Sequence, residues 1–142
     1  MEPTPPMNWT APPMLRTLVV DDHADVTYGL SMLLRRLGHA AVVAHDAREA
    51  LQVGEATRPD VVFLDIGLPD VCGYDVCKDM RQSGWGANAF IVAFTGRDEP
   101  ADVVRAAQTG FDRYVAKPMD LRTLQEILRT VGQQMGMAGS GR

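Results

Sequence analysis

The sequence predicts an α/β domain: a five-stranded parallel sheet with helices on both faces. Three observations carry that expectation. Short apolar runs, rich in β-branched and large residues, recur along the chain at Thr17–Val20, Ala40–Ala44, Val61–Leu64, Phe90–Phe94 and Arg113–Ala116. Between and after them stand segments whose apolar residues repeat at helical rather than strand spacing. Strict alternation of this kind leads to a parallel sheet covered on both sides, joined by right-handed crossovers. The third observation is a polar residue where four of these five runs stop: Asp21 and Asp22, Asp65, Thr95 and Lys117. In open parallel sheets ligands bind outside the carboxyl ends of the strands, where strand order reverses. The pattern therefore predicts one site at one edge of the sheet.

Each element follows from local chemistry. Thr17–Val20 is the first strand. Val26, Leu30, Leu33 and Leu37 form a helical stripe, with Gly38 as its C-terminal stop. Ala40–Ala44 is the second strand. Asp46 with Glu49 three residues on resembles a capping box and opens a helix to about Glu55. Val61–Leu64 is the third strand, followed by a loop containing Gly67, Pro69 and Gly73 and a helix to about Gln82. Phe90–Phe94 is the fourth strand, Glu99–Thr109 a helix ended by Gly110, and Arg113–Ala116 the fifth strand. Asp120 caps a last helix with the stripe Leu121, Leu124, Ile127, Leu128 and Val131.

At 142 residues the chain has the size of one domain that needs no staples. Five prolines in residues 1–14 read as an extended, disordered tail with Trp9 inside it, residues 15–135 as the folded domain, and residues 136–142 as a second flexible tail. The net charge of −4 and the lack of a basic stripe argue against direct contact with nucleic acid. No apolar stretch has the length of a membrane span, and the N-terminal segment lacks the charge and apolar core of a signal peptide. Cys72 and Cys77, with no zinc-ligand spacing around them, read as reduced thiols of a cytoplasmic protein. His23, His39 and His45 add little; His23 follows the acid pair and could approach the site, with an exposed loop residue as the default reading.

The polar residues define a chemistry. Three carboxylates close together repel, and a bound cation removes that cost. Hard oxygen ligands favour Mg²⁺ over a soft metal. Helix capping by Asp21 and Asp22 is the simpler alternative, but it leaves Asp65 and Lys117 unexplained. A carboxylate such as Asp65 can act as a nucleophile toward phosphorus. Lys117 offers a point charge and Thr95 a hydroxyl to phosphoryl oxygens, and Gly96 leaves room for a donor. Pro118 makes a cis Lys117–Pro118 bond one way to aim the ammonium. Tyr114, three residues before Lys117, falls on the opposite face of its strand.

Together these residues resemble the CheY-like receiver domain of bacterial two-component response regulators. The resemblance covers roughly Leu15 to Met135. It rests on the acid pair, the acid 43 residues after Asp22, the threonine 30 further on and the Lys-Pro 22 beyond that. The turns Asp65-Ile-Gly-Leu-Pro-Asp-Val-Cys-Gly and Gly110-Phe111-Asp112 add to it. It implies a flavodoxin-like fold of strand order 2-1-3-4-5. It also implies Asp65 as phosphoacceptor and Mg²⁺ on Asp22, Asp65 and the Gly67 carbonyl, with Asp21 acting through water. Thr95 and Lys117 then contact the phosphoryl group, and Thr95 with Tyr114 forms the switch. Gly67 and Arg97 stand at positions that tune phosphoryl lifetime. The implied donor is a histidine kinase or histidine phosphotransfer protein, with a further protein as downstream target. The chain reads as a single-domain regulator, with a receiver module of a hybrid kinase as the alternative. A haloacid-dehalogenase-type phosphatase is the remote one, because its nucleophile comes first and its acid pair late. A flavin-binding protein fits poorly, since the acidic first turn repels phosphate.

Overall fold

The computed structural model describes residues 14–69, 71–96 and 100–140. The proline-rich segment up to Pro13, Arg97 and the expected helix start at Glu99 lie outside them. Ten elements alternate: β1 (Arg16–Val20), α1 (Ala24–Arg36), β2 (Ala40–Ala44), α2 (Ala47–Thr57), β3 (Val61–Asp65), α3 (Gly73–Gln82), β4 (Phe90–Thr95), α4 (Pro100–Thr109), β5 (Arg113–Ala116) and α5 (Leu121–Ser140). All strand pairs are parallel, in the order β2-β1-β3-β4-β5. The order reverses between β1 and β3, so the open edge beyond those two strands is where a ligand is held.

Strand residues alternate between two cores. On one face Leu18, Val20, Val62, Leu64, Ile91 and Ala93 pack with Ala50 of α2, Val76, Cys77 and Met80 of α3, and Ala106 of α4. On the other, Val19, Phe63 and Val92 pack with Leu34 of α1 and with Leu124, Ile127 and Val131 of α5. β3 is buried at every position, as a central strand covered on both sides must be. Each fully buried large apolar side chain stabilises such a core by about 1.5–3 kcal/mol.

The helix signals resolve into specific bonds. The Glu49 N–H donates to Asp46 Oδ1 at 2.8 Å, and the Thr123 N–H donates to Asp120 Oδ1 at 2.7 Å. The last of these holds the Asp120 carboxyl below its usual range. Gly38 and Gly110, after α1 and α4, adopt φ of 94° and 119°, open to glycine at little cost. The C-terminal boundary differs from expectation. α5 runs to Ser140 rather than giving way to a flexible tail at Gly136. Gly136 and Gly139 each cost a helix only about 1 kcal/mol relative to alanine, and no proline interrupts the segment.

One structural hub was not visible in the sequence. Arg81, near the end of α3, donates to the carbonyls of Gly86, Ala89 and Gly110 and to Asp112 Oδ2. It ties α3 to the start of β4 and to the turn before β5.

Candidate functional site

The site is built at the ends of β1, β3, β4 and β5. β1 delivers Asp21, whose side chain is fully buried, and then Asp22, still one-third exposed. Asp21 does not cap α1. Its Oδ1 accepts from the His23 N–H at 2.9 Å, and the N-cap residue is His23, without a side-chain cap. The simpler capping alternative therefore falls for Asp21. β3 ends in Asp65, 4% exposed, whose Oδ1 accepts from the Gly67 N–H at 3.0 Å. That bond folds the loop back over the carboxyl and places Gly67 beside it.

Lys117 directly follows β5 and is joined to Pro118 by a cis peptide bond. Its N–H donates to the Thr95 carbonyl at 2.7 Å, joining the ends of β4 and β5. Its ammonium lies 2.5 Å from Asp21 Oδ2 and 3.3 Å from Asp65 Oδ2. Thr95 is buried at the last position of β4, one residue beyond the Phe94 that pairs with Asp65. Tyr114 pairs with Ala93 and packs, half-buried, against the core on the α2–α3–α4 side.

The charges shape one another. Burial pushes the Asp65 carboxyl up. The Gly67 N–H opposes this and the charge of Asp21 adds to it, so the net is above the usual range. For Asp21 burial also pushes up, but the bonds from Lys117 and His23 outweigh it and the net is lowered. Lys117 is held above its ordinary value: burial disfavours its charge, and Asp21 and Asp65 more than compensate. One oxygen from each of Asp21, Asp22 and Asp65 and one nitrogen of His23 lie within 4.8 Å of one another. An oxygen-rich set of that size, open to solvent at Asp22, suits a hard divalent cation that keeps some of its water.

Sequence reading named the three acids of this cluster and gave the approach of His23 only as the lesser alternative. The ring Nδ1 of His23 is 3.0 Å from Asp21 Oδ1 and 3.3 Å from Asp22 Oδ1. The available signal was its place two residues after Asp21, within reach of a side chain that turns back on its own backbone.

Comparison with known proteins places this geometry in a family. Residues 17–129 match the response regulator receiver domain. The chain belongs to that family. The sensory transduction protein RegX3 of Mycolicibacterium smegmatis is 36% identical over 118 residues, 83% of this chain and 50% of that protein. The alkaline phosphatase synthesis transcriptional regulatory protein PhoP of Bacillus subtilis is 34% identical over 116 residues, 82% of this chain and 48% of that protein. The receiver thus spans about half the length of the curated relatives it matches. The crystal structure of the Vibrio cholerae chemotaxis protein CheY4 superposes with a TM-score of 0.78 at 27% identity, covering 84% of this chain and 99% of that one. The expected fold and strand order are those of a CheY-like receiver, a signalling domain of two-component systems. Membership of this family sets the phosphatase and flavin readings aside.

Proposed function

We propose that Asp65 accepts a phosphoryl group from a phosphohistidine on a histidine kinase or histidine phosphotransfer protein. The observation that carries this reading is the pairing of a buried nucleophilic carboxylate with a fixed ammonium at the switch point of the sheet. A carboxylate oxygen of Asp65 attacks phosphorus and the N–P bond to the donor ring breaks; with the ring's other nitrogen protonated from solvent, an acyl phosphate and a neutral imidazole result. The chain's task is positioning and charge compensation. Lys117 lies between Asp21 and Asp65, from where its ammonium can pair with a phosphoryl oxygen. Thr95 offers its hydroxyl from the end of β4. Mg²⁺, when bound, neutralises charge on the acids and the phosphoryl oxygens; Asp22, Asp65 and the Gly67 carbonyl would hold it, with Asp21 acting through water.

The phosphoryl group then biases a two-state equilibrium. Thr95 is drawn toward the phosphoryl group, Tyr114 turns inward, and the face formed by α4, β5 and α5 changes shape for a downstream protein. Near-complete switching requires about 5.5 kcal/mol of preference for the active arrangement. This surface, rather than direct contact with nucleic acid, is the proposed output, and the cytoplasm is the compartment in which a kinase would supply the donor. Among the described residues no helix is long and apolar enough to cross a membrane.

The test is phosphorylation by a small-molecule phosphodonor with Mg²⁺, read by intact-mass spectrometry. The native chain gains one phosphoryl group. Asp65→Asn gains none, and full labelling of that variant overturns the assignment.

A further inference from the structure

We propose that His23 makes this a mixed oxygen–nitrogen metal site, which takes late first-row divalent ions far better than Mg²⁺. The inference rests on the reading of the acid cluster as the cation site and concerns which ion that site prefers. Three carboxylates alone form a hard donor set. Here a fourth ligand atom, an imidazole nitrogen, lies with them inside a 4.8 Å group. The Nδ1 of His23 approaches both acids of the pair, at 3.0 Å from Asp21 and 3.3 Å from Asp22. A ring beside only one acid would read as an ordinary hydrogen bond within a turn. A ring nitrogen within reach of both acids can be presented to an ion that their oxygens hold.

The side chain can turn to serve once the cation displaces the proton that Nδ1 shares with Asp21. It is 67% exposed, so it can re-aim by rotation about its own bonds without disturbing either core. Its backbone is fixed where α1 begins and by the N–H bond to Asp21. Imidazole is a good ligand for Ni²⁺, Co²⁺ and Zn²⁺ and a poor one for Mg²⁺, whereas carboxylates serve all of them. Adding one nitrogen to an oxygen set therefore raises affinity selectively. Affinity across the series should rise from Mn²⁺ through Co²⁺ to Ni²⁺, more steeply than with carboxylates alone.

Isothermal titration with Ni²⁺ and with Mg²⁺, both at one fixed pH of about 8 so that proton competition at His23 is the same for each, separates the two ideas. The native chain should bind Ni²⁺ well over tenfold more tightly than Mg²⁺. His23→Ala should lose about tenfold or more of the Ni²⁺ affinity and keep its Mg²⁺ affinity within about twofold. Bound Co²⁺ gives a second readout, a visible absorption band that shifts when a nitrogen ligand is lost. Equal Ni²⁺ affinity in the native chain and His23→Ala, with an unchanged Co²⁺ band, overturns the role of His23 while leaving the acid site intact. Failure of both ions to bind the native chain overturns the cation site itself, and the proposal with it. Asp22→Asn supplies the contrast, since it should weaken both ions.

Discussion

Lys117 makes its closer contact with Asp21, at 2.5 Å, and not with Asp65, at 3.3 Å. The fully buried acid of β1 therefore holds the lysine beside the nucleophile before any phosphoryl group arrives. This arrangement spares Asp65 from full neutralisation by a tight ion pair. It also makes the fold depend on the lysine, because Asp21 has no exposed surface through which water could replace it.

Lys117→Met should accordingly destabilise the domain. Removing one partner of a buried pair leaves an uncompensated charge, at a cost of about 3–5 kcal/mol in deep interiors. Here His23 still reaches Asp21, and about 2–3 kcal/mol is expected. Urea unfolding without divalent ions measures it. Adding Asp21→Asn to Lys117→Met should recover more than half of the loss, since the stranded charge is gone. An unchanged midpoint in the single variant would show that the pair contributes nothing to the fold.

Gly73 couples the fold to the nucleophile. It opens α3 and its N–H donates to the Ile66 carbonyl at 2.9 Å, which brings the helix start against the residue after Asp65. A Cβ at this position would sit 2.5 Å from Ile66 Cα and 2.7 Å from the Asp65 carbonyl oxygen. Both obstacles are backbone, so neither can swing aside. Gly73→Ala should cost about 2 kcal/mol or more by forcing that backbone apart. Because the displaced segment includes Asp65 and Gly67, the same variant should label more slowly with a phosphodonor. Gly29→Ala is the control: a Cβ there meets nothing within 4 Å, and labelling should be unchanged.

What could be read from the sequence follows the range of the forces involved. The strands were legible because burial on both faces demands continuous apolar runs, as in Val61–Leu64. Asp46 and Asp120 were legible because a cap acts within three residues. The acids, Thr95 and Lys117 were legible because a polar residue at the end of a buried strand has no packing reason to be there. Arg81 was not, because its acceptors at Gly86, Ala89 and Gly110 converge only after α3, β4 and β5 have docked. The approach of His23 was open in the sequence but not decided by it, because it depends on the path of the turn between β1 and α1. The end of α5 was misjudged because isolated glycines weaken a helix without stopping it.

His39 adds a pH dependence that periodicity could not reveal. The Leu15 N–H donates to His39 Nδ1 at 3.0 Å, so this nitrogen must carry a lone pair and the ring must be neutral. Burial lowers its pKa from the ordinary 6.5. The unfolded chain therefore takes up the proton first as pH falls. The stability contributed by the neutral ring is complete above about pH 6.5 and is lost progressively down to the lowered native pKa. His39→Gln keeps an acceptor and removes the titration. The difference in urea midpoint between the native chain and this variant should shift against the native chain between about pH 7.5 and about pH 5.5. His23, whose pKa is raised by its bond to Asp21 and by the charge of Asp22, shifts stability the opposite way. It is present in both proteins and cancels in the difference. A difference that stays flat across that window would show that the Leu15–His39 bond does not depend on the neutral ring.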